Sequence, residues 1–177
     1  SVKETVEEEV RRVSDEDRRI NRDVERVSEE SNRRLDKVHK ELEEVVKEVL
    51  KELDDTGLQR DLVERVKEIL KRLLDEDREK VKKVKREDEE LLKRLREFSK
   101  RVNDTLKELL DRLRRSTDEE TARRVVEEAR RIVAESKELV KEVVRRSDEL
   151  VRDVEKHSRD VAKTVRKIVT DVARRTR

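Results

Sequence analysis

Between Thr121 and Ala173, apolar and small residues return every three or four positions: Ala122, Val125, Ala129, Ile132, Ser136, Val140, Val143, Ser147, Leu150, Val154, His157, Val161, Val165, Ile168 and Val172. That spacing keeps one face of an α-helix over about fifteen turns. A second column, Val126, Val133, Val144, Val151, Ala162, Val169 and Ala173, widens the stripe beyond a two-stranded seam. Such a helix needs covering from more than one side.

The same period runs through the rest of the chain. It predicts burial of Val6, Val10, Val13, Ile20, Val24, Val27, Leu35, Val38, Leu42, Val45, Val49 and Leu53 in a first helix. A second helix buries Leu62, Val66, Ile69, Leu73, Val81, Val84, Leu91, Leu95, Phe98, Val102, Leu109 and Leu113. Capping-box patterns begin at Ser1, Thr56 and Thr117, so the helices are expected over about 2–54, 57–115 and 118–176. The only Gly lies at the first junction and Ser116-Thr117-Asp118 breaks the second. Junctions this short turn neighbouring helices antiparallel. The expected fold is therefore all-α: an elongated, antiparallel up-down-up three-helix bundle, able to join a larger helical assembly. Residues 1–177 form a single domain in this reading. At 1.5 Å per residue each helix would be about 80–90 Å long. Four-residue steps in succession at Val27-Ser31-Leu35, Leu73-Asp77-Val81 and His157-Val161-Val165 interrupt the heptads and reduce supercoiling.

Polar residues break into these stripes. They are Asp17, Asn21, Ser31 and Asn32, then Asp77, Asp88 and Ser99, then Ser136, Ser147 and His157, with His39 near the last. Counting axial heights from the three helix starts groups Asn21 with Asp88 and Ser136, and Ser31 with Asp77 and Ser147. It also brings His39 level with His157. A buried Asp, Asn or Ser without a partner costs about 1–3 kcal/mol, whereas a connected set satisfies itself and fixes register. Two His give too few ligands for a zinc site, and with no Cys to supplement them no metal is expected. If both rings were dry, acid would loosen the helices around them.

Charged residues make up 55% of the chain, which could signal disorder, but a disordered chain has no reason to keep an apolar face in register. Formal net charge is +2, with the signs interspersed, so the chain offers no general attraction to nucleic acid or an acidic membrane. The densest basic stretch, Lys80 to Arg86, is followed at once by Glu87-Asp88-Glu89-Glu90. No transmembrane run or targeting signal is present, and the expectation is a soluble chain suited to cytoplasmic expression. No nucleophile elbow, phosphate-binding Gly loop, His-Glu-x-x-His or calcium loop occurs, so neither enzyme activity, a cofactor nor a small-molecule substrate is expected.

The capping boxes, the Val/Leu/Ile stripes, the Ser/Asn/Asp/His interruptions and the near-exclusion of aromatics resemble de novo designed helical bundles with buried hydrogen-bond networks. The likeness is strongest to subunits of designed hetero-oligomers. It implies a structural or pairing role, with another helical chain or another copy as partner. A self-contained bundle is the alternative, ahead of a nucleic-acid or membrane binder.

Overall fold

A computed structural model describes residues 2–116 and 118–175; the capping boxes beginning at Ser1 and Thr117 rest on residues outside that set. The described chain consists of three helices, α1 (Val2–Asp55), α2 (Arg60–Arg115) and α3 (Glu119–Arg175), packed against one another as an all-α three-helix bundle. The apolar period sustains each helix, and no Pro interrupts any of them.

The first junction departs from the expected capping box. Thr56 does not open α2; its backbone N–H and its hydroxyl both donate to the Leu53 carbonyl, at 3.3 and 2.7 Å, and so close α1. Gly57 follows with φ of 67°, the left-handed conformation that commonly ends a helix. α2 then starts at Arg60, with the Gln59 carbonyl accepting from Val63 N–H at 3.1 Å. At the second junction Asp118 is the cap. Its carboxylate accepts from Glu120 N–H at 3.1 Å and its carbonyl from Ala122 N–H at 3.2 Å. A Cβ at Gly57 would meet nothing within 4 Å, so only the backbone conformation opposes a side chain there. Gly57→Ala is accordingly expected to cost about 1 kcal/mol, read as a lower denaturation midpoint with unchanged helicity.

The chain divides into two compact units, the described parts of Ser1–Glu29 with Asp88–Ser147 and of Glu30–Glu87 with Asp148–Arg177. Each takes a stretch from all three helices. In the first unit, Glu7 pairs with Arg114 and Glu25 with Arg96; in the second, Asp36 pairs with Lys85 and Asp54 with Lys67. As the α1 number rises the α2 number falls, so these helices are antiparallel within each unit. Glu9–Arg130 and Glu16–Lys137 run in the same sense, making α1 and α3 parallel in the first unit.

The core of the first unit centres on Val10, Val102, Leu109, Val125 and Ala129, with a further cluster of Val24, Leu95, Val140 and Val143. That of the second centres on Leu42, Leu53, Leu70 and Val165, with a cluster built around Leu35 from Val38, Val81, Val84, Val151 and Val154. Several expected positions are displaced. Val27 and Ile69 are exposed, while Val46, Val63, Leu70 and Leu106 are buried. Val45 and Leu62 are only half-buried. The reason is local ambiguity: after Leu42 both Val45 and Val46 continue a helical face, as do both Ile69 and Leu70 after Val66. Only the neighbouring helices choose between a step of three and a step of four.

Candidate functional site: polar groups inside the bundle

Seven polar or charged residues are buried among the described ones: Asp17, Ser31, Asp77, Asp88, Ser136, Ser147 and Ser158. All six of the expected site residues in that set stand on the apolar stripes, where a helical step that brings Val or Leu inward brings a carboxylate or hydroxyl instead.

In the first unit, Asp17 is fully buried and joins three helices. Ser136 Oγ on α3 donates to its Oδ1 at 2.5 Å. Asn21 Nδ2, one turn along α1, lies 2.8 Å from the Asp17 carbonyl oxygen, 3.3 Å from its Oδ2 and 3.2 Å from Ser99 Oγ on α2. Asn21 and Ser99 are half-buried. Burial pushes the Asp17 carboxyl above its ordinary range, and the hydrogen bond from Ser136 partly offsets that.

Asp88, also in the first unit, has a thinner set of partners. Ser147 hydrogen-bonds to it, but its buried Oδ2 has no hydrogen-bond partner among the described residues. Val24, Val143, Val144 and Leu92 pack around these two, with the half-buried Ser28 beside them. Here too burial raises the carboxyl, with the Ser147 hydrogen bond working against it.

In the second unit, Asp77 is fully enclosed, and each carboxylate oxygen has a partner. Ser158 Oγ donates to Oδ1 at 2.7 Å, and His39 Nδ1 lies 2.8 Å from Oδ2. His157 Nε2 stands 3.9 Å from Oδ1, and His39 Nε2 is 2.9 Å from Glu43 Oε1. That second His39 contact is one of proximity alone, since among the described residues Nε2 makes no hydrogen bond. The two rings therefore share a level, but neither sits dry among apolar groups: His157 is about a third exposed, and His39 faces carboxylates on both sides. The premise for acid loosening through dry rings is removed.

The expected groupings are corrected. Asp88 meets Ser147 rather than Ser136 and Asn21; Asp77 meets Ser158 and His39 rather than Ser147. Ser31 is buried, and Asn32 is exposed, so Asn32 is not an interior group. Ser158 was missing from the expected set although the sequence carries its signal. Ser136, Ser147 and Ser158 are eleven residues apart, as are Asp77, Asp88 and Ser99, and Asp17, Ser28 and His39. Eleven residues are close to three full turns, so each series returns to the same helix face.

The raised carboxyls give a signed expectation. A folded-state pKa above the unfolded value means a stability contribution fully present below the unfolded pKa, ordinarily 3.8, and lost as pH rises through the raised one. Wild type should therefore gain on Asp88→Asn as pH falls from 7 toward 4. Paired denaturant titrations check this; a stability difference between the two proteins that is flat over that range contradicts it.

Among the described residues no three His, Asp or Glu are grouped to hold a metal ion, and no helix is long and apolar enough to cross a membrane. No family model, curated protein or solved structure matches the chain.

Proposed function

We propose that the chain is a structural or protein-interaction scaffold, akin to designed helical bundles, whose interior polar groups specify helix register and pairing. The observation that carries this reading is the pairing of Asp17 with Ser136 and of Asp77 with Ser158, each across two helices and each buried. Sliding α3 by one turn would set Asp77 against Val154 or Ala162, and Asp17 against Ile132 or Val140. Either takes the serine donor from a buried carboxylate oxygen, Asp77 Oδ1 or Asp17 Oδ1, at a cost of about 1–3 kcal/mol. Polar pairs thus penalise wrong alignments that an all-apolar stripe would tolerate. Another helical chain or a further copy is the partner class for such a scaffold.

The triple variant D17L/D77L/D88L tests the register role. Its helicity should survive while its melting temperature falls, since the leucines leave the partners Ser136, Ser158 and His39 without their carboxylates. Its amide NMR spectrum should broaden or split, and its mass should become heterogeneous. One sharp set of resonances at the wild-type mass would overturn the role. A self-contained bundle is the second reading, favoured by the covering of the α3 second column: Val133, Val151 and Val169 are buried and Val126, Val144, Ala162 and Ala173 half-buried. A light-scattering mass fixed at 21.3 kDa on dilution, with and without a candidate helix, would support it.

A further inference from the structure

Ion pairs recur along the seam between α1 and α3. Glu9 meets Arg130 at 3.1 Å and Glu16 meets Lys137 at 2.6 Å in the first unit. In the second, Arg34 reaches Glu155 at 2.5 Å and Asp148 at 3.0 Å. The first two pairs are related by a step of seven residues on both helices. The same step from Arg34 and Glu155 arrives at Glu41 and Ala162. Alanine cannot answer a carboxylate, and here the seam opens into a groove of about 520 Å³.

The groove has an apolar floor, formed by buried Val38 and Leu42 and flanked by the half-buried Val45 and Ala162. Its walls have opposite signs: Glu41 and Glu44 on α1, Arg159, Lys163 and Arg166 on α3. None of these five side chains takes part in a hydrogen bond or ion pair among the described residues, unlike their counterparts elsewhere on the seam. The larger groove between α2 and α3 in the same unit, of about 820 Å³, lacks this separation, because Lys80 and Lys83 share the α2 wall with Glu79 and Glu87.

The geometry points to the α1–α3 groove as the seat of a fourth helix: an amphipathic segment, basic along the flank facing α1 and acidic along the flank facing α3. This rests on the scaffold reading and names the partner's chemistry. An apolar trough between two helices accepts the apolar ridge of a third, with charged flanks choosing the mate. Reversing the direction of the docked helix exchanges its flanks, so the two walls also select its orientation. A second copy would bring another trough instead of a ridge and leave both unfilled.

Two synthetic helical peptides with the same Leu stripe, one carrying Lys on one flank and Glu on the other, one carrying Glu on both, test this against the full chain by fluorescence anisotropy. The mixed-flank peptide should bind wild type about tenfold more tightly, as expected from several exposed ion pairs acting together. E41K/E44K should reverse the preference. A162R, which places a long side chain in the trough, should abolish binding of both while leaving helical circular dichroism unchanged. Absence of saturation with wild type, equal affinities for the two peptides, or binding that survives A162R would each overturn the proposal. So would self-association of the chain alone that A162R dissolves, because a second copy would then hold the groove. The register role is read without any peptide, so peptide failure alongside a broadened D17L/D77L/D88L spectrum would defeat the groove and leave the scaffold reading intact.

Discussion

Asp77→Ala is expected to lower the unfolding free energy by about 3 kcal/mol, because breaking a buried polar set strands the groups left behind. Asp77 is fully buried, and its two oxygens engage Ser158 at 2.7 Å and His39 at 2.8 Å. Removing the carboxylate leaves the buried Ser158 hydroxyl without that acceptor and withdraws Asp77 Oδ2 from His39 Nδ1. Denaturant unfolding with an unchanged slope would measure the loss. The further variant D77A/H39L/S158A removes the stranded groups and should recover part of it. A loss below about 1 kcal/mol for Asp77→Ala alone would mean that these contacts add little beyond filling space. Asp88→Leu provides the contrast. With Oδ2 already lacking a partner among the described residues, its replacement should be neutral or stabilising.

A larger loss, about 4 kcal/mol, is expected for Leu35→Ala. Leu35 is completely buried, and the buried members of its cluster are all Val: Val38, Val81, Val84, Val151 and Val154. β-Branched side chains on helices have one strongly preferred rotamer, so they cannot swing into the space a shortened neighbour leaves. The cavity should therefore persist and place the cost toward the upper end of the range for such substitutions. Val27→Ala is the matched control, since Val27 is exposed and should change stability by no more than about 0.5 kcal/mol. Thermal and denaturant unfolding of the two variants side by side would separate a persistent cavity from one that collapses.

Much of this molecule was legible from the chain alone. Helix number, helix extent and antiparallel sense follow from an unbroken apolar period and two short junctions, which are local properties. Interior polar positions were legible for the same reason: Asp17, Ser31, Asp77, Asp88, Ser136 and Ser147 interrupt the stripe and are buried. Asn32 misled because it stands next to Ser31, and one residue rotates a helix by about 100°, enough to turn a side chain from interior to water. The same rotation explains Ser158, buried beside the partly exposed His157.

Which polar residue meets which was a different matter. Because the series recur every eleven residues, Asp77 has a serine to face in either of two alignments, Ser147 or Ser158. Both satisfy the pattern, and the sequence periodicity cannot choose between them. The turns choose. The count from an expected start at Thr56 set Asp77 level with Ser147. But Thr56 closes α1 and α2 starts four residues later at Arg60, an offset of about 6 Å that carries Asp77 on to His39 and Ser158. The sequence by itself determined that carboxylates and hydroxyls would be enclosed, because burial follows from a helix's own periodicity. The partners were decided only by tertiary structure, because a short turn fixes the offset between two helices and every contact along them inherits it.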